Sequence, residues 1–303
     1  MPTMTNAHSA ICTSRFLCQR GESMGRVIMS GIVPTLTAPS NVDPVLNNNS
    51  WETISKISQA GLAAQYWNVG DTKDIVINGT VGATTITNLT VQAFIIGIDH
   101  NAAREGEHLI HFQIGKIGEK LVGLVDGNYY GSISTTGAFT MNTSNTNIGG
   151  WQDSHMRKTV LGSDSASAAS PTANTLLAAL PDDLRAVMKS AIKYSDNYGN
   201  AYQTVSHVTA TQDFLPLLAE FEYHGSRTRA NTHEQDFQAQ YDYYKAGNRK
   251  VHYKHNATGV TARAWTRSPD SSNAGFFCSV NTDGSPTQNN PTAPLALAPC
   301  FFV

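Results

Sequence analysis

Apolar positions in this 303-residue chain fall into short runs whose period switches between helical and alternating, separated by polar, turn-rich stretches. Trp51, Ile54, Ile57 and Leu62 follow helical spacing and predict an amphipathic helix, with Asn49 as its cap and Glu52 three positions on. The segment from Tyr66 to Asp71 predicts a turn into a strand pair over 74–78 and 89–98, and residues 108–114 alternate as a strand does. A loop through 141–147 leads to Gly149-Gly150-Trp151 and a short helix bearing His155, Met156 and Arg157. A second helix is predicted over 181–194. Pro181 stands near its first turn, Asp182 and Asp183 complement its positive end, and Leu184, Val187, Met188, Ala191 and Ile192 form its apolar face. Residues 211–222 predict a short helix broken by Pro216, and Asp283-Gly284 a tight hairpin turn among the terminal strands. The expected fold class is α+β, with a loop-rich mixed sheet and two or more helices.

The last forty residues carry a different pattern. Trp265, Arg267, Ser268, Pro269, Cys278, Val280, Gly284, Pro299 and Cys300 read as a frame. Between them stand small or unmatched residues: Thr266, Ser271, Asn273, Ala274, Ser279, Asn281, Thr287, Asn289, Pro291 and Leu295. A stiff frame whose neighbours share no chemistry suits display, because catalysis requires particular titratable groups in fixed geometry. Alternation over 276–282 assigns Cys278 and Val280 to the core and Phe277, Ser279 and Asn281 to an exposed face. With Arg263 and the assorted positions, that face is the expected ligand-binding set. Trp265 is expected in the core, Arg267 paired or bonded to loop carbonyls, and Pro269 at the strand exit, with Gly149, Gly150 and Trp151 as further scaffold.

Charged residues make up 15% of the chain, against roughly 25% in an average soluble domain. Ser, Thr, Asn and Gly fill the deficit, giving a surface that is polar without being charged, as in many extracellular and virion proteins. A net charge of −2 offers no field for a phosphate backbone, so nucleic acid is not an expected partner. No run of eighteen apolar residues predicts a membrane span, and the first residues lack the apolar core of a secretory signal. Release by lysis, as part of a particle, is the expected route out of the cell. Residues 1–23 read as a disordered extension. Residues 24–50 read as a short apolar attachment segment and a linker marked by Pro34, Pro39 and Pro44, and residues 51–303 as the main domain.

Candidate chemistry is sparse. Cys12, Cys18, Cys278 and Cys300 show no zinc spacing, and the last two read as small buried hydrophobes on neighbouring strands. His108 and His111 would point to opposite faces of one strand and could not share a metal, while Asp99, His100 and Asn101 read as a polar turn. Ser268 lies in no G-x-S-x-G elbow, and neither Asp182-Asp183 nor Glu220-x-Glu222 suggests a matched acid and base. No catalytic residue, metal or cofactor is expected.

Several motifs belong together: Gly97-Ile-Asp-His-Asn101, His111-Phe-Gln-Ile-Gly115, Met141-Asn-Thr-Ser-Asn-Thr-Asn147, Gly149-Gly-Trp151 with Met156-Arg157, Leu176-Leu-Ala-Ala-Leu-Pro-Asp-Asp-Leu184, Tyr243-Tyr-Lys-Ala-Gly-Asn248 and Trp265-x-Arg-Ser-Pro269. In this order they resemble a domain of unknown function common in tail-associated proteins of gut-bacterial phages and prophages, over about Trp51 to Val303. Met24 to Pro34 resembles the start of phage structural proteins of this type. The ending is similar to the C-type lectin-like fold, in the branch shared by formylglycine-generating enzymes and variable proteins diversified by retroelements. Ala264 and Thr266 depart from the bulky aromatic and Leu residues usual before Arg-Ser-Pro, as do Pro286 and residues 294–297. The resemblance implies a phage tail protein that binds a host cell-surface protein or glycan through its C-terminal face. By analogy it implies contacts with other tail or baseplate proteins and a homo-oligomer, with a trimer the form suggested. Two alternatives stand beside it: a structural tail protein without a receptor, and an oxidase of the formylglycine-generating type.

Overall fold

The computed structural model describes residues 41–127, 129 and 138–303. The expected extension over 1–23, most of the attachment segment, and Cys12 and Cys18 lie outside the described residues.

Helix Trp51–Gln59 starts where Ser50, rather than Asn49, turns its hydroxyl onto the Thr53 amide at 3.1 Å. Asn49 is instead buried under the preceding turn, donating to the carbonyls of Asp43 and Val45. Glu52 pairs with Lys56 at 2.6 Å and closes no capping box. The helix ends before Leu62.

Strands β1 (Thr72–Val81), β2 (Thr84–Ile98), β3 (Ile110–Ile117) and β4 (Lys120–Gly123) form an antiparallel succession. The expected strand pair and turn are therefore present, and longer than the pattern indicated. β5 (Ala191–Asp196) and β6 (Val208–Asp213) make a separate ribbon. β7 (His252–Lys254) pairs in parallel with β4 and antiparallel with β8 (Ala257–Ala262). β9 (Ala264–Pro269), β10 (Phe277–Val280) and β11 (Pro286–Asn289) form a three-stranded antiparallel sheet. The last strand, β12 (Cys300–Phe302), returns to the large sheet beside β3. Short helices fill the connections, so the architecture is mixed α+β with a multi-stranded mixed sheet.

β3 is buried along Ile110 to Gly115 without alternation, because both its faces are covered. On one face Trp51 meets Phe112 edge-on at 5.4 Å between ring centres and Phe301 at 5.7 Å, joining the first helix to the sheet. On the other, His111 and Gln113 meet a layer of tyrosines. The His111 ring lies 3.1 Å from the Tyr241 hydroxyl, Gln113 donates to Tyr223 at 2.7 Å, and Tyr244 donates to Gln113 at 2.6 Å. His108 is not in the strand at all, but in a left-handed turn with φ +59°.

Three further expectations fail for identifiable reasons. The helix over 181–194 is only Asp182–Arg185. Residues 191–194 belong to β5, where pairing with β6 outweighs the helical spacing. The helix over 211–222 is instead the end of β6, a loop through Pro216, and the start of helix Glu220–His224. Cys278 and Cys300 are buried free thiols as expected, but they stand in different sheets rather than on neighbouring strands.

Candidate recognition surface

Arg267 anchors the C-terminal frame. Its guanidinium grips Glu222 with both arms, Nη1 to Oε2 at 2.5 Å and Nη2 to Oε1 at 2.8 Å. It also donates to the Ser195 hydroxyl and to the carbonyls of Leu217 and Tyr194. Lys193 binds Glu222 at 2.7 Å and Glu105 at 2.6 Å, and donates to Tyr241. All four charged side chains are sealed from solvent. Burial by itself would raise the Glu222 carboxyl, but Arg267 and Lys193 outweigh it and hold that carboxyl well below the usual carboxylate range. With no carboxylate or ammonium left unpaired, this cluster is a structural tie among four chain segments.

The other expected scaffold residues behave alike. Trp265 is in the core and donates its indole N–H to the Phe139 carbonyl at 3.1 Å. Trp151 donates to Asp213 at 3.1 Å, and the same carboxylate takes Arg157, Ser163 and Thr211. Pro269 closes β9.

The expected ligand face does not survive as drawn. Thr266, Ser271, Phe277, Ser279, Asn289, Pro291 and Leu295 are buried. Alternation failed because β9 and β10 are buried along their whole length, so a core/solvent pattern there has no solvent side to report, while β11 at the edge is half-buried over Pro286, Thr287 and Gln288. The small polar residues read as display positions satisfy one another or the backbone. Thr266 donates to the Cys278 carbonyl, Asn289 to the Ser279 hydroxyl at 2.7 Å, and Ser271 to the Arg229 carbonyl. Arg263 draws part of the set together, donating to Asn281 at 3.1 Å and Asn289 at 2.9 Å. Of the predicted residues, Asn273 is exposed, and Arg263, Ala274, Asn281 and Thr287 are half-buried. They separate into a loop, residues 271–276, and the hairpin of β10 and β11, with Arg263 between β8 and β9 reaching Asn281 of the hairpin.

The 271–276 loop joins a surface that sequence reasoning missed. Asn147, itself fully buried, donates its amide to the carbonyls of Asp270, Asn273 and Phe276, and its backbone N–H to Ala274. Its side-chain oxygen accepts from the Asn200 amide at 2.8 Å. One asparagine thus fixes two surface loops against each other. Asp270 stiffens the first from within, accepting from the amides of Ser272 and Asn273. Asp196 stiffens the second, accepting from the amides of Tyr198 and Gly199.

Two glycines allow the contact. A Cβ on Gly150 would stand 2.1 Å from the Asp196 carbonyl oxygen, and one on Gly199 would stand 2.0 Å from that of Asn147. Both residues also adopt positive φ. Gly149 donates to the Tyr198 carbonyl, bringing Ile148 beside the tyrosine loop.

On this pinned base stand four large side chains with about half their surface in solvent: Ile148, Tyr198, Tyr202 and Val205. Tyr198 stacks on His207 with ring centres 4.2 Å apart, and Tyr202 lies 6.3 Å from Tyr198. Asn147 ties Asn273 and Ala274, in the 271–276 loop, to the loop that carries the tyrosines. The available signal was the run from Tyr194 to Tyr202, three tyrosines among turn-forming Ser, Asp, Asn and Gly. Nothing in its spacing says whether such tyrosines lie in or out.

No family model, curated protein or solved structure matches this chain. The described helices include none long and apolar enough to cross a membrane.

Proposed function

We propose that the chain is a recognition protein of C-type lectin-like fold. It belongs to a phage tail and touches a host cell-surface protein or glycan through the surface formed by Tyr198, Tyr202, Ile148 and the 271–276 loop. The observation that supports this is the cluster of exposed aromatic and aliphatic side chains on loops held rigid by a buried asparagine. Folded chains rarely leave such patches in solvent without a use, and tyrosines on a pre-ordered base bind with little loss of side-chain freedom. Recognition resides in the loops at the end of the three-stranded sheet, and not on its strand face. Diversification by a retroelement then acts at solvent-facing positions such as Asn273, Ala274, Asn281 and Thr287. Residues 24–50 attach the domain to the tail or baseplate, and a homo-oligomer on the particle multiplies weak individual contacts.

Binding is favoured over catalysis because the strongest titratable cluster, around Glu222 and Lys193, is sealed inside the core. Among the described residues, burial keeps the Cys278 and Cys300 thiols protonated, Cys278 well above the usual thiol range and Cys300 pushed up to about 12, so neither supplies the thiolate that cysteine oxidation chemistry uses.

Labelled full-length chain on a panel of gut-bacterial cells tests the reading. Tyr198→Ser combined with Tyr202→Ser is expected to lower cell binding at least about tenfold with the melting temperature unchanged. Undiminished binding by the double variant, or binding only to isolated tail components, sinks it. A near-copy of the gene's 3′ end beside a reverse transcriptase, differing at adenines, would bear out the diversification.

A further inference from the structure

A cleft of about 570 Å³ opens where β3 turns into β4 and β4 pairs in parallel with β7. That volume lies inside the ~300–1,000 Å³ range of small-ligand sites, and none of its lining residues belongs to the tyrosine surface. Its wall carries three cations, Lys116, Lys120 and Arg249, against one carboxylate, Glu119. Among the described residues, none of the three cations enters an ion pair.

The lysines are held in place without being neutralised. The Lys116 ammonium lies 5.2 Å from the ring centre of Phe94 and 5.6 Å from that of Tyr243, and Lys120 lies 4.8 Å from that of Tyr253. A ring face attracts a cation but carries no net charge, so each ammonium is positioned with its full charge still available. Lys120 also donates to the Thr258 carbonyl at 2.7 Å. Tyr243, which lines the cleft, keeps its phenolic proton, since burial and then Glu119 both raise its pKa.

The cleft is not closed at its ends. It shares Gly70, Lys116 and Glu119 with a hollow of about 430 Å³ that reaches Val45, Asn47 and Asp71. It shares Asn248, Arg249 and Val251 with another of about 440 Å³ that reaches Lys250, Asp283 and Gly284. The excess of positive charge is thus confined to the central section, and its flanks suit uncharged units. Three hollows in series make a groove, the shape that suits a linear chain. The central section offers only Val69, Leu121 and Val251 as aliphatic lining, too little to hold a lipid tail or the anchors of an apolar peptide. A chain of net charge −2 is a poor partner for a densely charged nucleic acid. What remains is a polar, flexible, sparsely anionic polymer rich in hydroxyls.

We infer that this groove binds an acidic saccharide, with a uronic-acid carboxylate set among Lys116, Lys120 and Arg249 and the flanking sugar units along the neighbouring hollows. The guanidinium fork of Arg249 suits a carboxylate in two-pronged contact, and Asn248 and the tyrosine hydroxyls suit ring hydroxyls.

Calorimetry on the full chain with xylohexaose bearing a single glucuronic acid branch, unbranched xylohexaose and hexaglutamate tests it. The acidic xylohexaose is expected to bind, and to weaken as salt is raised to about 0.3 M. Lys120→Gln with Arg249→Gln, both at exposed positions, is expected to weaken it at least about tenfold. Lys158→Gln and the Tyr198→Ser, Tyr202→Ser pair are expected to leave it unchanged, so that failure of the groove and failure of the tyrosine surface read out separately. No binding of the acidic xylohexaose overturns the inference. Equal binding of unbranched xylohexaose overturns it, because charge is then irrelevant. Equal binding of hexaglutamate overturns it too, because the sugar is then irrelevant.

Discussion

Arg267 and Glu222 face each other across the core in a two-pronged ion pair, 2.5 and 2.8 Å long, with neither side chain reaching solvent. The pair links β9 to the helix Glu220–His224, and through Lys193 to β5 and to Glu105 in the helix Ala102–Glu105. Taking one member away strands the other in a medium that solvates it poorly.

Arg267→Met is therefore expected to destabilise the fold by roughly 3–5 kcal/mol in chemical denaturation. Arg267→Lys should restore only part of the loss, since an ammonium cannot hold both carboxylate oxygens together with Ser195 and two carbonyls. Removing both partners, as Arg267→Met with Glu222→Leu, should cost less than the two single losses added together. Strict additivity in that cycle would show that the pair is not coupled.

Gly199→Ala tests the seam between the two surface loops. A methyl group there must displace the Asn147 carbonyl and sit at a φ of +69°. A loss of at least about 2 kcal/mol is expected, from strain and overlap together. Amide exchange should quicken in residues 271–276 as well as beside the substitution, because Asn147 serves both loops. Faster exchange confined to 197–202 would mean the loops are not joined.

Leu295 and Ala274 both stand among the assorted positions of the C-terminal segment, yet one is buried and the other half-buried, and they should respond differently to substitution. Leu295→Ala empties a buried site, and about 2–5 kcal/mol of stability is expected to go. Ala274→Ser, on the half-buried loop, should fall within about 0.5 kcal/mol of the parent. Equal tolerance at the two sites would return Leu295 to the surface.

His100 should set part of the acid limit. It stacks on Tyr241 with ring centres 3.8 Å apart, and its Nε2 is buried without a partner. Burial, then the charge of Lys193, lowers its pKa to about 3. The unfolded chain takes up a proton near pH 6.5 while the folded chain does not, so this residue withdraws stability as pH falls from about 6.5 toward 3. The slope it contributes is at most about 1.4 kcal/mol per pH unit. Glu234, raised by burial to about 7, works the other way between its unfolded value and neutrality, so the comparison must be between variants. His100→Phe should lose less stability than the parent between pH 6.5 and 4.5. Parallel pH profiles for the two would remove His100 from the account.

Local readings of the sequence succeeded where one side of an element faces water. The helix from Trp51 and the strand pair around residues 74–98 were legible because period and residue type report a two-sided environment, whereas Trp265 in the core and Arg267 as a paired cation were legible from residue type alone. Such readings failed where burial is two-sided. β3, β9 and β10 are covered on both faces, and within or against them Ser279, Asn289 and Thr266 are polar because they bond each other or the backbone, which a solvated residue would mimic in sequence.

By itself, then, the chain's order of residues determined its mixed α+β character and its low charge, properties of composition and of neighbours along the backbone. Only the tertiary structure decided which side chains meet solvent. Asn147 lies more than a hundred residues from the loop it holds, Tyr198 and Tyr202 come to the surface because Gly150 and Gly199 let two backbones touch, and Lys116 meets Arg249 only across a strand junction. Exposure is a property of what packs above a residue, and that is set by contacts distant in sequence.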